Sequence, residues 1–172
     1  MVPMITTIEE ELFSLLRALA IPFERFEHPP VATVEEAEPY WRDIAAGHCK
    51  NLFLRNKKGN RHYLLIVEHD KSADLLRLRR LLEEDRLSFA SPERLKKYLN
   101  LEPGSVSPFA LVHDRERAVR LLVDADLRCH ERLTFHPNVN TATLVIAFAD
   151  FEKFLAHSGH APTYLTIPTI GT

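Results

Sequence analysis

The N-terminal third of the chain carries alternating helical and strand-like hydrophobic patterns. Apolar residues recur every three or four positions from Ile8 to Leu19, which predicts an amphipathic helix. Thr7 and Glu10 have the spacing of a capping box at its start, and the helix ends before Pro22. A short strand over 23–26 follows.

A second helix is predicted after the His28-Pro29-Pro30 segment, which interrupts regular structure. Thr33 and Glu36 again have capping-box spacing, and this helix runs to about Pro39. Gly47 then closes the region before the next apolar segment.

The clearest strand pair covers residues 51–56 and 61–68. Both segments are short and rich in apolar residues, and the Lys57-Lys58-Gly59-Asn60 segment between them is typical of a hairpin loop. Ser72 then precedes a leucine-rich helix. After a short strand over 87–90, Ser91-Pro92 supplies an N-cap and a first-turn proline for a helix to about Leu99.

The C-terminal third is predicted to begin with a second hairpin, over 109–113 and 118–123, around Asp114. Strand pairs mixed with helices, without regular βαβ alternation, indicate an α+β fold with a mixed sheet rather than a doubly wound one. The remaining predicted elements are two strands, a helix that stops at Gly159 and a last strand, over 133–135, 143–147, 150–157 and 164–167.

Composition narrows the class of protein. The 172 residues include 22 Lys and Arg, 24 Asp and Glu, and 45% hydrophobic residues, with a formal net charge of −2. This profile is that of an ordinary globular protein, and we expect one domain over 1–172. The charge argues against binding of duplex DNA through bulk electrostatics.

The sequence predicts a cytoplasmic protein without membrane attachment. No run reaches the ~18 apolar residues of a membrane span, and the acidic N-terminus lacks the regions of a signal peptide. Cys49 and Cys129 form neither a CxxC motif nor a disulfide framework. Among the histidines there is no HExxH or Cys/His quartet, so no metal or other cofactor is expected.

Three polar segments are candidates for chemistry, and the first is Gly47-His48-Cys49-Lys50-Asn51, which leads into the apolar strand. A lysine at a strand start can project over a pocket and bind a phosphate, a carboxylate or a developing oxyanion. The alternative is that this Lys-Asn pair is a solvated loop end.

The second candidate is the GxxxP loop Gly104-Ser105-Val106-Ser107-Pro108. Its backbone amides can bind an anion or a carbonyl oxygen, because glycine permits close approach and proline restricts the shape of the loop. The Walker lysine and glycine spacing of a P-loop are missing. The alternative is a plain connector.

The third candidate is the turn Phe135-His136-Pro137-Asn138-Val139-Asn140-Thr141. It places an imidazole, two amides and a hydroxyl between two apolar strands, where they can hold a polar substrate and position water. A histidine before proline is otherwise a turn residue.

Other residues are weaker candidates. The basic helix segments 77–80 and 94–97 can contact RNA phosphates, although charged outer faces of helices are usually only solvated. Cys49 and Cys129 lack an identifiable base and orienting group. Buried apolar positions are the more common role of such cysteines.

Taken together, GHCKNLFL at 47–54, GSVSPF at 104–109 and FHPNVNTAT at 135–143 resemble the prolyl-tRNA editing domain family. This family includes the insertion domain of bacterial prolyl-tRNA synthetases and free-standing proteins that hydrolyse mischarged tRNA. The likeness extends from the His28-Pro29-Pro30 segment to the final helix. It implies a mixed-sheet, barrel-like α+β domain with flanking helices.

The resemblance also implies roles for individual residues. Lys50 matches the lysine that these enzymes require, Asn51 the asparagine beside it in the alanine-specific members, and His136 the histidine that lines the aminoacyl pocket. Cys49 stands where the nearest relatives are expected to have threonine, which changes the polarity of the pocket edge. The implied substrate-binding residues are Gly104, Ser105, Val106, Ser107, Pro108 and Asn140.

The implied activity is hydrolysis of the ester of mischarged Ala-tRNA(Pro). Such an ester is already activated, so a positioned water and a stabilised oxyanion suffice without a covalent nucleophile. A small pocket admits alanine and excludes the proline ring. The implied partners are the acceptor end of tRNA(Pro) and prolyl-tRNA synthetase.

Two alternatives stay open at this point. One is a Cys-tRNA(Pro) deacylase with the same fold and lysine, against which Asn51 and the FHPNVN turn favour alanine. The other is a module that binds tRNA or another nucleic acid without catalysis, since a fold alone does not determine function.

Overall fold

The computed structural model describes residues 4–171, so the ends of the predicted domain, 1–3 and 172, lie outside it. No helix in this described part is long and apolar enough to cross a bilayer. The helices are α1 (Thr7–Ala18), α2 (Val34–Trp41), α3 (Leu75–Leu81), α4 (Pro92–Leu99) and α5 (Phe148–Ser158), with 3-10 helices at Pro108–His113 and Ala125–Cys129. The strands are β1 (Glu24–Glu27), β2 (Gly47–Asn56), β3 (His62–Glu68), β4 (Leu87–Phe89), β5 (Val119–Asp124), β6 (Arg132–Phe135), β7 (Ala142–Ala147) and β8 (Thr163–Leu165).

The capping box of α1 forms one residue earlier than predicted. Thr6 and Glu9 make it, not Thr7 and Glu10: the Glu9 amide donates to Thr6 Oγ1 over 3.2 Å, and the Thr6 amide donates to the Glu9 carboxylate over 2.9 Å. Arg25 of β1 also donates to the buried Glu9 carboxylate over 2.8 Å. This contact from outside the helix favours Glu9 over Glu10 as the acidic residue of the capping box, a choice that the local sequence pattern does not decide.

The other helix starts agree with the predictions in part. Thr33 and Ser91 cap α2 and α4 as predicted. The α3 cap is Asp74 rather than Ser72, because the Asp74 carboxylate accepts from the first-turn amide of Arg77 over 3.0 Å. Helix α2 also continues past its internal proline.

The strands form a mixed sheet in the order β1-β7-β6-β2-β3-β5-β8, with β4 joined to β2. The hairpin predicted over 51–56 and 61–68 is confirmed as the antiparallel pair β2–β3. The pairs β2–β6, β3–β5 and β5–β8 are parallel. Within the described residues the sheet does not close between β1 and β8, so the α+β fold is mixed and barrel-like without being a complete barrel.

The second predicted hairpin, over 109–113 and 118–123, is wrong. Residues 108–113 form a 3-10 helix instead, and β5 pairs in parallel with β3. Ser107 Oγ accepts from the Phe109 amide over 3.2 Å. Pro108 occupies the first turn, where a backbone N–H would have no partner within the helix, so the lack of an N–H in proline costs nothing. A short apolar run does not by itself distinguish a strand from a buried helical turn.

Strand β3 is buried on both faces and connects two parts of the core. Leu64 and Ile66 point into the main cluster, which includes residues of α1, α4 and α5. Tyr63, Leu65 and Val67 point into a second cluster with residues of α3 and β4. Coverage on both faces explains why this strand is continuously apolar in the sequence.

Asp114 is a buried carboxylate that joins the start of β5 to the end of α5. It accepts from the amides of Ala118 and Val119 over 3.0 and 2.8 Å. His160, just beyond α5, places its Nε2 2.9 Å from the Asp114 carboxylate. Three groups therefore depend on one side chain.

We expect Asp114→Ala to lower the free energy of unfolding by about 3 kcal/mol, because a buried pair is broken and two amides lose their acceptor. Urea unfolding followed by circular dichroism measures the change. Glu116→Ala, at an exposed position of the same loop, is the control and should leave the midpoint unchanged. Equal midpoints for the two variants would contradict the assigned role of Asp114.

Candidate functional site

One edge of β2 is paired only at its ends. On the edge opposite β3, β6 pairs with Gly47 and His48, and β4 pairs with Leu54–Asn56. Among the described residues, 49–52 have no ladder partner on this edge. The gap interrupts the sheet at the adjacent residues Lys50 and Asn51, which are called the KN motif below.

A cavity of about 170 Å³ lies at this gap. The segments that line it are far apart in the sequence: the start of α2, the middle of β2, the 104–108 loop and the 135–141 turn. This volume is smaller than the roughly 300–1,000 Å³ of a site for a drug-sized molecule. It suits a chemical group the size of an amino acid.

The structure brings together most of the predicted site residues. Lys50, Asn51 and His136 line the cavity, together with Gly104 and Val106 of the loop. Lys50 and Asn51 lie inside β2 and not before it, because the strand begins at Gly47.

The remaining predicted residues lie next to the cavity and do not line it. Ser105, Ser107 and Pro108 belong to the same loop as Gly104 and Val106 and are buried, and Ser107 caps the 3-10 helix. The side-chain nitrogen of Asn140 lies 3.6 Å from the point that a Cβ on Gly104 would occupy. Asn140 therefore lies close to the loop.

Lys50 is a half-buried cation without an ion-pair partner among residues 4–171. Desolvation lowers the pKa of its ammonium group, and the carboxylates of Glu35 and Asp70 partly oppose this effect. A cation that no carboxylate neutralises directly can bind an anionic or carbonyl oxygen that enters the cavity.

Asn51 presents an acceptor that nothing in the described protein satisfies. Its Oδ1 atom is buried and has no hydrogen-bond partner there. Leaving such an atom unpaired costs about 1–3 kcal/mol. A ligand that carries an N–H or O–H donor would recover this energy.

His136 lines the cavity as a neutral ring. Its Nδ1 lies 3.0 Å from the Ala142 carbonyl oxygen, and because a carbonyl only accepts, Nδ1 carries the hydrogen. Nε2 is then left as an acceptor. Burial lowers the pKa of His136, with a smaller contribution in the same direction from His28.

The 104–108 loop contributes backbone donors. The Ser105 amide donates to the Glu102 carbonyl over 3.1 Å, whereas the amides of Gly104 and Val106 have no partner in the described part of the chain. Gly104 has φ +86°, and the nearest atoms around its missing Cβ lie at ordinary contact distances. The glycine is therefore required by the backbone conformation and not by lack of space.

The wall formed by α2 is anchored through Thr143 of β7. Trp41 Nε1 donates to Thr143 Oγ1 over 3.2 Å, and His28 Nε2 lies 2.9 Å from the same oxygen. His28 Nδ1 donates to the Pro29 carbonyl over 2.9 Å. The Thr143 hydroxyl therefore accepts from the Trp41 indole and shares a hydrogen bond with the His28 ring, which joins the two side chains.

Aromatic contacts hold the same wall against β2. The Trp41 indole stacks on the His48 ring with centroids 5.1 Å apart and planes 4° apart. Val31, Ala37 and Trp41 also form a small apolar cluster separate from the main core. The sequence pattern did not predict this wall. It indicates His28 only as part of a segment that interrupts regular structure, and Thr33 only as a helix cap.

Cys49 lines the cavity with a buried thiol. Burial raises the pKa of its thiol, and the nearby carboxylates of Glu68 and Asp124 act in the same direction. The thiolate required for attack is therefore disfavoured. This agrees with the prediction of a buried apolar role.

The basic helix segments 77–80 and 94–97 do not line the cavity. Arg94 donates to the Gly59 carbonyl over 3.0 Å, which ties α4 to the β2–β3 hairpin. Lys96 pairs with Glu102 over 3.1 Å, close in sequence to the GxxxP loop.

Comparison with known proteins gives the class of the chain. The family model of the aminoacyl-tRNA editing domain matches residues 28–154, so the chain belongs to the aminoacyl-tRNA editing domain family. Editing in this family is the hydrolysis of the ester that joins an amino acid to the wrong tRNA. The chain is thus an aminoacyl-tRNA hydrolase.

The relatives connect this family membership to prolyl-tRNA. The chain is 38% identical to the prolyl-tRNA editing protein ProX of Acetoanaerobium sticklandii, over 88% of this chain and 93% of that one. It is 37% identical to prolyl-tRNA synthetase associated domain-containing protein 1 of Danio rerio, over 92% and 87% of the two chains. It is also 27% identical to proline–tRNA ligase of Bacillus subtilis, over 81% of this chain and 25% of the ligase.

A solved structure shares the fold. It is that of a candidate trans-editing enzyme for prolyl tRNA synthetase, with a TM-score of 0.69 and 19% identity. The alignment covers 96% of this chain and all of that one. The predicted mixed-sheet α+β fold of an editing domain is confirmed.

We expect Thr143→Val to lower the free energy of unfolding by about 2 kcal/mol, since it leaves two buried hydrogen-bonding groups without a partner. Trp41 is the single tryptophan, so its emission reports on the α2 wall and should change in this variant. Thr143→Ser retains the hydroxyl and is the control, with emission like that of the wild type. Unchanged emission in Thr143→Val would refute the anchoring role.

Proposed function

We propose that the chain is a trans-editing deacylase that hydrolyses the ester of Ala-tRNA(Pro) in the cavity beside Lys50. The observation that carries the proposal is the set of unpaired groups there. A cation, a buried amide oxygen and free backbone amides surround a space the size of an amino acid. The similarity to ProX, which is a prolyl-tRNA editing protein by name, supports the choice of tRNA.

In the proposed reaction a water molecule attacks the carbonyl carbon of the aminoacyl ester. The C–O bond to the terminal ribose breaks, the ribose oxygen takes up a proton, and free alanine leaves. Negative charge develops on the carbonyl oxygen on the way. The Lys50 ammonium and the amides of Gly104 and Val106 are the donors placed to stabilise this charge.

The other unpaired groups act on the substrate as acceptors. Asn51 Oδ1 accepts from the α-ammonium group of the alanyl moiety, which a buried carbonyl oxygen suits well. His136 Nε2 accepts from the attacking water or from the free ribose hydroxyl, and so orients it. Neither role requires a covalent intermediate, which fits the protonated Cys49 thiol.

Selection against proline follows from size. Val34, Ala37 and Val106 line the cavity, and an apolar wall excludes a larger side chain by overlap. Cysteine is only slightly larger than alanine, so a Cys-tRNA(Pro) deacylase is the second candidate. Alanine is favoured over cysteine because Asn51 matches the asparagine that stands beside the lysine in the alanine-specific members of the family.

In this proposal the acceptor end of the tRNA, which carries the amino acid, enters the cavity. The basic segments 77–80 and 94–97 are the candidates for contacts to its phosphates. Prolyl-tRNA synthetase is a candidate partner, because the chain is similar in sequence to a segment that makes up a quarter of a proline–tRNA ligase.

We expect Lys50→Ala to slow single-turnover hydrolysis of Ala-tRNA(Pro) by at least about 100-fold, since a donor to the oxyanion is lost. Lys57→Ala is the matched control, because Lys57 is an exposed lysine in the hairpin loop that follows β2. It should react at the wild-type rate. Cys-tRNA(Pro), Pro-tRNA(Pro) and Ala-tRNA(Ala) are measured alongside.

The substrate series separates the candidate functions. Faster hydrolysis of Cys-tRNA(Pro) than of Ala-tRNA(Pro) would move the proposal to the cysteine-specific deacylase. Hydrolysis of none of the four substrates would contradict the proposed choice of tRNA(Pro).

We expect Val106→Ala to widen the cavity and raise the rate on 2-aminobutyryl-tRNA(Pro), relative to Ala-tRNA(Pro), by about tenfold, the effect of one methylene in an apolar pocket. Val112→Ala is the control, because Val112 is also half-buried but lies outside this cavity. An unchanged ratio in Val106→Ala would show that size at this wall does not set specificity.

A further inference from the structure

The 135–141 turn also borders a second cavity, which the proposed function does not use. This second cavity measures about 250 Å³ and lies between α1, α4 and the first 3-10 helix. Its walls are largely apolar and include Leu12, Leu15, Leu101, Phe109 and Val112. It shares no lining residue with the cavity beside Lys50.

Asn138 supplies a polar group to this apolar space. The residue is only 8% exposed, and its Oδ1 atom is buried without a hydrogen-bond partner among residues 4–171. The backbone is left-handed there, with φ +62°, a conformation that asparagine tolerates better than most residues. An unpaired acceptor in an apolar cavity is costly unless a ligand donates to it.

Charged side chains of both signs also line the second cavity. Glu11 lines it and has no ion-pair partner in the described part of the chain. Lys96 lines it as well and is paired with Glu102, but both side chains are largely exposed. An exposed pair of this kind is weak, so Lys96 can exchange its partner for the carboxylate of a ligand.

We infer that the second cavity binds a free aliphatic α-amino acid. The aliphatic side chain packs against Leu12, Phe109 and Val112. The α-ammonium group donates to Asn138 Oδ1 and lies near Glu11, and the carboxylate pairs with Lys96. Apolar walls, one buried acceptor and lining side chains of opposite charge together match a zwitterion with an aliphatic side chain. This inference stands independently of the proposed function.

Methyl NMR with leucine as the probe tests the site directly. Leucine is titrated to about 10 mM, tenfold above an expected Kd of about 1 mM, into protein labelled at its leucine and valine methyl groups. Shifts at Leu12, Leu101 and Val112 are the expected result. Shifts confined to Val34 and Val106 would place leucine beside Lys50 instead and overturn the inference, as would no shift at all.

Two analogues test the polar contacts without any change to the protein. 4-Methylpentanoate has the same side chain and carboxylate but no ammonium group, and should bind at least about tenfold more weakly than leucine. Leucinol keeps the ammonium group and should lose less affinity. Equal binding of 4-methylpentanoate and leucine would rule out donation to Asn138.

A matched pair of variants tests Asn138 itself. Asn138→Gly suits the left-handed backbone while it removes the amide, and should weaken leucine binding about tenfold. Glu83→Gly is the control, because Glu83 also has a positive φ, of 55°, but is exposed and does not line this cavity. It should bind leucine like the wild type, and equal loss in both variants would contradict the role of Asn138.

Discussion

One edge of strand β2 pairs with β6 at its start and with β4 at its end, and a gap lies between the two. Its other edge is paired with β3 over Cys49–Arg55, so the strand stays hydrogen-bonded to the sheet across the gap. Backbone groups in a gap of this kind need solvent or a ligand as partner. The cavity and its polar side chains depend on this interrupted pairing, because a complete ladder would cover the KN motif.

The groups around the gap are kept unsatisfied at a cost to stability. Lys50 is partly desolvated without a direct counter-ion, and Asn51 Oδ1 has no partner in the described protein. Functional sites commonly break the rules of good packing and are supported by the rest of the fold. Here the support comes from β3, which is buried on both faces between two apolar clusters.

The 135–141 turn places polar groups in two directions. His136 lines the smaller cavity beside Lys50, and Asn138 lines the larger one under α1. The two cavities differ in character: the first is bordered by unpaired donors and acceptors, the second mainly by apolar side chains, with one buried unpaired acceptor. A left-handed residue inside the turn allows neighbouring side chains to point to different sides.

Local patterns in the sequence were sufficient for most of the elements. The β2–β3 hairpin and the caps at Thr33 and Ser91 depend on residues a few positions apart, and the structure has them where the pattern predicts. The motifs around Lys50 and His136 could likewise be recognised in the sequence, since the residues of each motif are contiguous. The run 109–113 was misassigned because its apolar residues fit a buried helical turn as well as a strand.

The tertiary structure alone decided which polar groups are paired and which are free. Thr143 joins His28, 115 positions away in the chain, to Trp41 of α2, and these contacts hold a wall that the sequence pattern did not predict. Whether Asn51 or Asn138 has a partner depends in the same way on segments that are distant in sequence. Burial and hydrogen bonding are properties of the packed chain, so no local pattern encodes them, whereas capping and hairpin formation act within a few residues.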